Sequence, residues 1–234
     1  MTLPFENDTK TIIKRISGRN ISANRKRNIF IVLTIVLASA LLSAIVLYGF
    51  GVMQETQNRN QKTAQIMYHA ISEQQGQELY KQEEIAWVGE FFNAFSEQVN
   101  HSTVNFTYAN ADMLTSQSMP YSGDLPASEN EIVVQESFLD SLGYSNELGQ
   151  TIQIPFSDGT THDFKLTGIL DVKTGDIGRY TAIISKELVR QQYGDGGMID
   201  YYIGLKGAQN MSEEEATNYA NTLAQQLKIS DDNV

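Results

Sequence analysis

Few residues in this sequence have the types and the spacing that catalysis or metal binding needs. The three histidines, His69, His101 and His162, are scattered and lack metal-ligand spacing. Asp158 and Asp163 could form a general acid–base pair, but they flank a predicted turn, and turn chemistry alone explains an aspartate at position 158. The chain has no cysteine, which excludes a thiolate nucleophile, a thiolate metal site and a disulfide. We therefore predict no catalytic residue, no cofactor and no metal site.

Two further patterns could bind a ligand, and each has a structural alternative. The acidic run 213–215 could bind calcium, although acidic residues at the start of a helix also complement the helix dipole. Trp87, Phe91 and Phe95 could line a groove, although aromatic stripes in strands more often belong to a core. The sequence contains neither a Gly-x4-Gly-Lys-Ser/Thr loop nor a Gly-x-Ser-x-Gly motif. The chain is therefore predicted not to be an enzyme.

Charge is distributed very unevenly along the chain. Residues 1–28 contain seven basic residues against two acidic ones, a charge of +5, so the rest of the chain carries −16 of the total of −11. An acidic domain repels phosphates, which argues against a nucleic-acid partner. An exported domain without cysteine is typical of a bacterial protein.

The basic head is followed by an apolar segment at residues 29–53, within a stretch that has no charged residue between Arg27 and Glu55. About 20 apolar residues cross a hydrocarbon core of about 30 Å, so this segment predicts a transmembrane helix in the plasma membrane. Arg25, Lys26 and Arg27 flank its N-terminal end. By the positive-inside rule these three residues determine the topology, with residues 1–28 in the cytoplasm and the main domain extracytoplasmic.

Alternatives exist for the apolar segment and for the basic head. Ala38-Ser39-Ala40 resembles a signal-peptide cleavage site, but the sequence after it stays apolar, which favours an uncleaved anchor. In the head, three isoleucines share a helical face, so residues 1–28 could lie as an amphipathic helix on the lipid bilayer. A flexible basic tail is the other interpretation.

Residues 54–65 are polar, lack Pro and Gly, and are predicted to continue the helix as a stalk. Residues 66–234 predict an extracytoplasmic α+β domain of mixed strands, short helices and β-hairpins. Strands are expected at 64–71, 87–95, 104–108, 131–134, 181–184 and 199–205, and helices at 72–82, 135–142, 185–193 and 212–227, with a loop at 119–130. Ser72 with Gln75 and Ser212 with Glu215 fit capping boxes at the starts of two of these helices. Within 87–95, alternation places Trp87, Gly89, Phe91, Asn93 and Phe95 on one face. The other face has Val88, Phe92 and Ala94, so the strand is expected to be covered on both sides.

The clearest local pattern is a β-hairpin. Residues 152, 154 and 156 lie on one face of a predicted strand and residues 162, 164 and 166 on one face of the next, and Asp158-Gly159 between them is a typical hairpin turn.

The stretch from Ser122 to Asp171 resembles the extracytoplasmic core domain of ABC-transporter permeases of the FtsX/MacB-like family. The residues that carry this resemblance are Gly123, Leu125, Pro126, Asn130, Glu131, Ile132, Val133, Leu148, Gly149, Ile152, Asp158, Gly159, Phe164, Leu166, Gly168 and Ile169.

The resemblance implies a function as the N-terminal portion of a permease subunit. In such transporters a cytoplasmic ATP-binding subunit drives two permease chains, and the outer domain couples this motion to substrate handling outside the membrane. Such permeases have further spans after the outer domain, so the expectation is either a fragment of a longer permease or a truncated product. The alternatives are a single-pass membrane-anchored extracytoplasmic binding or sensor protein and, more distantly, a membrane-anchored enzyme.

Overall fold

The computed structural model describes residues 9–172, 179–194 and 199–233, without the side chains of residues 21, 56–61 and 231. Residues 1–8 of the predicted basic head lie outside the described residues. The chain divides into two compact units, residues 1–56 and 57–234, and each is described by itself.

The basic head forms a helix, α1 (Thr9–Ala23). Ile12, Ile13 and Ile16 are 50–63% exposed on it, so their apolar side chains have no protein cover. This exposure is what an interfacial helix requires, and the contact with lipid stays a prediction.

The apolar segment lies in α2 (Arg25–Lys62). Among the described residues one helix is long and apolar enough to cross a membrane, over Arg25–Glu55, and none of its most apolar stretch is buried. The hydroxyl groups of Thr34, Ser39 and Ser43 donate hydrogen bonds of 2.8–2.9 Å to carbonyl oxygens four residues earlier. Polar side chains are tolerated in hydrocarbon in this way.

The second unit is built on a nine-stranded mixed sheet in the order β1-β9-β2-β3-β8-β5-β7-β4, with β6 paired to β7. Two neighbouring pairs, β3 with β8 and β5 with β7, are parallel, and the others are antiparallel. The strands are β1 (Ile66–Ile71), β2 (Ile85–Val99), β3 (Ser102–Ala109), β4 (Tyr121–Gly123), β5 (Glu131–Gln135), β6 (Thr151–Pro155), β7 (Thr161–Leu170), β8 (Arg179–Ile184) and β9 (Ile199–Leu205). The helices are α3 (Glu73–Leu79), α4 (Ala111–Ser116), α5 (Glu136–Leu142), α6 (Lys186–Tyr193) and α7 (Glu213–Leu227), with short 3-10 helices at Ala208–Asn210 and Asp231–Asn233. The predicted α+β class is confirmed.

Two apolar clusters cover one face of the sheet. The β9 cluster joins β1, β9 and the start of β2 to α3 and α7, and its side chains include Tyr68, Leu79 and Leu223. The β5 cluster joins β3, β5, β7 and β8 to α5 and α6 and includes Phe106 and Phe138. A third, smaller cluster around α4 covers the opposite face, so β5 is buried on both sides.

Hairpin β6–β7 has the predicted register, with Ile152 opposite Phe164 and Ile154 opposite His162. Gly159 has a φ of +85°, which a residue with a side chain rarely adopts. The tip of the hairpin reaches across to β2, where Ser157 donates its N–H and its hydroxyl to Glu97 at 3.1 and 2.6 Å. The hairpin therefore encloses the β5 cluster.

A β-bulge in β2 overturns the predicted face of Phe95. The register of β2 on β3 skips Ala94, so Phe95 lies on the face opposite Phe91. Its ring stacks on Phe106 with centroids 4.6 Å apart. The hydroxyl of Tyr193 donates to the carbonyl of the bulged Ala94 at 2.8 Å. Simple alternation predicts the wrong face because the bulge adds one residue.

Three other local predictions differ from the structure. The predicted loop 119–130 contains the short strand β4, because residues 121–123 pair with β7. The helix α4 was not predicted. It begins where the side chain of Asn110 accepts the N–H of Met113 at 2.9 Å. The helix α3 ends at Leu79 rather than near residue 82, although the predicted capping box of Ser72 and Gln75 is present.

Candidate functional site

Glu90 is an acidic residue in the middle of an apolar run of β2. On the same face of the strand, Val88 belongs to the β9 cluster and Phe92 packs against the β5 cluster, so Glu90 lies where the two clusters meet. Tyr201 is its register partner on β9, and Tyr108 on β3 lies opposite Phe92. The side chains that surround Glu90 are here called the central polar cluster: Glu73, Tyr80, Glu90, Tyr108, Lys186, Arg190 and Tyr201.

The carboxylate of Glu90 is 5% exposed and receives three hydrogen bonds. Its Oε2 accepts from Lys186 Nζ at 2.8 Å and from the Tyr108 hydroxyl at 2.6 Å. Its Oε1 accepts from the Tyr80 hydroxyl at 2.9 Å. A buried carboxylate is tolerated only when it is paired and hydrogen-bonded, and Glu90 meets both conditions.

Lys186 joins Glu90 to a second carboxylate, that of Glu73, at 3.3 Å. Glu73 also contacts the guanidinium group of Arg190, and this hydrogen bond is the main reason that the pKa of Glu73 is lowered. Helix caps fix both ends of this bridge. Ser72 begins α3 one residue before Glu73, and Ser185 begins α6 one residue before Lys186.

The tyrosines of the cluster stay protonated. Burial raises the pKa of Tyr80 and of Tyr108 well above the ordinary value, and the negative charge of Glu90 raises both further. Each hydroxyl therefore remains a donor to Glu90. The Lys186 ammonium also lies 5.8 Å from the centroid of the Tyr108 ring.

Tyr201 differs from the other two tyrosines of the cluster. Its hydroxyl is buried and has no hydrogen-bond partner among the described residues. Gly76 of α3 lies against this hydroxyl, because a Cβ at position 76 would stand 2.2 Å from it. Glycine at 76 thus lets α3 approach β9 closely.

Gln65 fastens the start of the second unit to the strand that carries Tyr201. Its backbone N–H donates to the carbonyl of Ile203 at 2.9 Å, and its side-chain Oε1 accepts the N–H of Leu205 at 2.8 Å. The helix α2 ends at Lys62, short of the predicted stalk end at residue 65. Only three residues therefore separate the end of this helix from β1.

The central polar cluster has no arrangement suited to catalysis. It contains no serine or cysteine nucleophile and no histidine, and its tyrosines are held protonated. Among the described residues, no three His, Asp or Glu side chains come close enough to hold a metal ion. The cluster holds two helices and three strands together.

Two of the motif residues predicted from the sequence meet at one point of the sheet. Gly123 on β4 is the register partner of Gly168 on β7. A Cβ at Gly123 would stand 2.3 Å from the carbonyl oxygen of Thr167, and one at Gly168 would stand 2.6 Å from that of Ser122. The two glycines allow β4 and β7 to approach each other.

Glu131 organises the loop that follows Pro126. Its Oε2 accepts the backbone N–H groups of Ala127 at 3.0 Å and Ser128 at 3.2 Å, and its Oε1 lies 3.2 Å from Lys165 Nζ. These bonds, led by the one from Ala127, lower the pKa of Glu131.

The remaining motif residues lie in the core or in turns. Ile132 and Ile152 are fully buried in the β5 cluster, and Gly149 has a φ of +87°. Asp158 accepts the N–H and the hydroxyl of Thr160 at 2.8 and 2.6 Å, which lowers its pKa and shapes the hairpin turn. The motif residues shape strands and turns and do not converge on one chemical site.

The conserved sequence pattern of a known family covers most of this chain. The family described as MacB-like periplasmic core domain matches residues 29–222, which include the apolar helix and most of the second unit. The chain belongs to the MacB-like periplasmic core domain family. The resemblance inferred from the sequence is therefore confirmed. No curated protein sequence matches the chain.

Solved structures similar to this family member include a periplasmic region, an extracellular domain and a domain of a putative permease. The periplasmic region of MacB from Actinobacillus actinomycetemcomitans is 14% identical with a TM-score of 0.48, over 69% of this chain and 81% of that one. The extracellular domain of the noncanonic ABC-type transporter YknZ from Gram-positive bacteria is 11% identical with a TM-score of 0.47, over 67% and 91%. A domain of a putative permease protein from Porphyromonas gingivalis is 9% identical with a TM-score of 0.47, over 68% and 77%.

The other residues that the sequence offered as candidates are on separate elements and form no common site. His69 Nδ1 is 3.3 Å from Asp200 Oδ1, and the ring of His162 packs at a tilt against that of Phe156 in the hairpin. Glu215 of the acidic run accepts the backbone N–H of Ser212 in the predicted capping box. Trp87 packs over Gly204, and Arg25, Lys26 and Arg27 begin α2, where their effect on topology stays a prediction.

The sequence analysis missed the central polar cluster. A signal was present, because Glu90 stands between Gly89 and Phe91 in a strand expected to be covered on both faces. An acidic residue in such a strand must have a cationic or hydrogen-bonding partner. The identity of that partner, Lys186, was not predictable, since 96 residues separate the two.

We expect Gly123→Ala to destabilise the domain more than Gly149→Ala. Both glycines have nearly the same positive φ, so the backbone strain of alanine is matched, about 1–2 kcal/mol. Only Gly123 also lacks room for a Cβ, which should add about 1–3 kcal/mol. Urea unfolding followed by the fluorescence of the single tryptophan, Trp87, measures both. Equal losses would contradict the close approach of β4 and β7.

Proposed function

We propose that this chain is the N-terminal portion of an ABC-transporter permease subunit. Its outer domain couples motion driven by a partner ATP-binding subunit to substrate handling outside the membrane. The observation that carries the proposal is the extent of the family match, which runs without a break from the apolar helix into the second unit. A family pattern that includes both parts is expected when the two act together.

The contacts of Gln65 support a path for this coupling. Displacement of the chain at Gln65 acts directly on β9, through the bonds to Ile203 and Leu205. β9 carries Tyr201 into the central polar cluster, opposite Glu90. Polar side chains can exchange hydrogen-bond partners with less loss of packing than apolar side chains that interdigitate in a core. The central polar cluster is therefore a suitable place for movement between the half of the sheet covered by the β9 cluster and the half covered by the β5 cluster.

The proposal includes a cytoplasmic ATP-binding subunit and a second permease chain as partners, with the lipid bilayer around the helix. These 234 residues contain no phosphate-binding loop, and the proposal accordingly assigns ATP hydrolysis to a separate subunit. The alternative, a single-pass binding or sensor protein, needs no such subunit.

The topology is expected to be N-terminus inside and C-terminus outside. Arg25, Lys26 and Arg27 adjoin the span, and basic residues next to a span are retained in the cytoplasm. A reporter that is active only outside the cytoplasm, fused after residue 234, should be active. Replacing the three basic residues with Asn should lower its activity. A reporter that is active only in the cytoplasm, and is active at the same position, would contradict the proposed orientation.

ATP hydrolysis separates the permease from its alternative. The chain purified alone should hydrolyse no ATP. The same chain affinity-purified from its native membrane under mild detergent should bring an ATP-binding subunit and ATPase activity with it. Repeated isolation without an ATP-binding subunit would favour the sensor protein, and hydrolysis by the chain alone, lost on mutating one of its own residues, would overturn the non-enzyme prediction.

A further inference from the structure

A cavity of about 210 Å³ lies beside the end of α4, over strands β2, β3 and β8. The strand register shows that its lining shares one face of the sheet, because Asn93 lies opposite Thr107, and Asn105 is the partner of Thr181. The residues that define the amide pocket are Phe91, Asn93, Asn105, Thr107, Gln117 and Thr181. None of them belongs to the central polar cluster.

Thr107 brings to this pocket a hydroxyl group that the protein does not bind. The residue is only 6% exposed, and its hydroxyl forms no hydrogen bond with any residue that the structure describes. Among the described residues that are not exposed, only Tyr201 has a fully enclosed side-chain polar atom without a partner, so the Thr107 hydroxyl is accessible from the cavity. A polar group buried to this extent needs a hydrogen-bond partner, which must enter through the cavity.

Other polar groups of the amide pocket are also available to a ligand. The side chains of Asn93, Gln117 and Thr181 form no hydrogen bond with the described part of the chain. Asn105 uses its Oδ1, which accepts from Ser96 Oγ at 2.7 Å, and this leaves its amide donors. Amides and hydroxyls both donate and accept hydrogen bonds. The pocket therefore presents donors and acceptors side by side.

The amide pocket is neutral within a strongly acidic chain. Residues 29–234 carry a charge of −16, yet no Asp, Glu, Lys, Arg or His is among the described residues that line the cavity. The rest of the lining is apolar and includes the half-buried side chains of Phe91 and Met119. Neutral donors and acceptors next to apolar surface favour a neutral ligand with many hydroxyl groups over an ion.

Neutral polar side chains continue from the pocket along β2 and β3. Ser96 lies opposite Asn105, and Gln98 lies opposite Thr103. Each pair is joined by a side-chain hydrogen bond of 2.7 Å. On this face of the described strands, the first charged side chain in that direction is Arg179, the partner of Thr103 on β8. The same chemistry therefore extends beyond the pocket by two residue pairs.

We propose that the amide pocket binds one ring of a neutral oligosaccharide, and that the next ring lies on the pairs formed by Ser96 and Gln98. The cavity is smaller than the about 300–1,000 Å³ of sites for drug-sized ligands, so it admits a group of the size of one ring. Sugar hydroxyls both donate and accept, as the amides and hydroxyls of the pocket do, and the C–H face of the ring packs on Phe91 and Met119.

A peptide is the less suitable occupant of this face. Peptides that bind to sheets usually add a strand at an exposed edge, through backbone hydrogen bonds. The pocket lies over β2, β3 and β8, which are interior strands, so their backbones are paired with neighbouring strands on both sides. Only side chains are therefore available to the ligand. The site concerns binding alone and does not depend on transport or on the partner ATPase.

Isothermal titration of the full chain tests the proposal in octaethylene glycol monododecyl ether, a detergent that has neither charge nor a sugar headgroup. The probes are maltotetraose, cellotetraose, chitotetraose and the neutral peptide acetyl-Asn-Gly-Asn-Gly-amide. At least one tetrasaccharide should bind, and the peptide should bind at least about tenfold more weakly. The affinity for the sugar should change by less than about twofold between about 0.05 and about 0.5 M NaCl, because no charge takes part.

Variants locate the binding in the pocket. Thr107→Val/Thr181→Val removes two hydroxyls at nearly constant volume and should weaken binding of the sugar about five- to tenfold. Its thermal unfolding should not become easier, because neither hydroxyl has a partner among the described residues. The matched control Thr151→Val/Thr161→Val changes exposed strand positions in hairpin β6–β7 and should leave the affinity within about twofold. Asn93→Ala, at an exposed position, should also weaken binding and decides the matter if the double variant does not fold.

Four results would overturn the proposal. The first is that none of the three tetrasaccharides binds. The second is binding of the peptide as tightly as the best sugar, which would assign the pocket to peptides. The third is equal affinity in the pocket variant, the control and the unmodified chain, which would place the sugar elsewhere. The fourth is an affinity that falls steeply with salt, which would indicate a charged contact.

Discussion

The structure of the second unit depends on one buried ion pair, Glu90 with Lys186. A carboxylate that is 5% exposed in the middle of a sheet is stable only with a cation and with donors around it, since removing one partner of such a pair costs about 3–5 kcal/mol. Its partners come from β3, α6 and the end of α3. The contacts that the Glu90 carboxylate requires therefore fix how two helices pack on the sheet. Glu90 lies where the β9 cluster meets the β5 cluster.

The buried ion pair is separated by one strand, β9, from the part of the domain that follows the apolar helix in the chain. The chain belongs to the MacB-like periplasmic core domain family, and its matched region includes the apolar helix. The first strand after that helix, β1, pairs with β9 at one edge of the sheet, and Gln65 is bonded to β9. The Tyr201 hydroxyl, which has no hydrogen-bond partner among the residues that the structure describes, lies on the same strand as these contacts, next to Glu90. In the proposed coupling, a second arrangement of the central polar cluster would give the Tyr201 hydroxyl a hydrogen-bond partner.

Local patterns in the sequence predicted many of the elements, and long-range partners explain the rest. Ser72, Ser185 and Ser212 begin helices as predicted, because a cap depends on residues three positions away. The face of Phe95 was wrong because a bulge forms only against a partner strand. Strand β4 was missed because its pairing depends on the close approach of Gly123 to Gly168. The central polar cluster joins residues from 73 to 201, and no local pattern contains such contacts.

A double-mutant cycle on Glu90 and Lys186 tests the central claim most directly, with urea unfolding followed by Trp87 fluorescence. Lys186→Met leaves a buried charge without its cation and should lower the free energy of unfolding by about 3–5 kcal/mol. Adding Glu90→Gln should recover a large part of that loss, because the remaining amide is neutral. Lys81→Met, which breaks the exposed pair with Glu78, is the control and should cost less than about 1 kcal/mol. If Lys186→Met costs no more than Lys81→Met and Glu90→Gln recovers nothing, the pair does not hold the two clusters together.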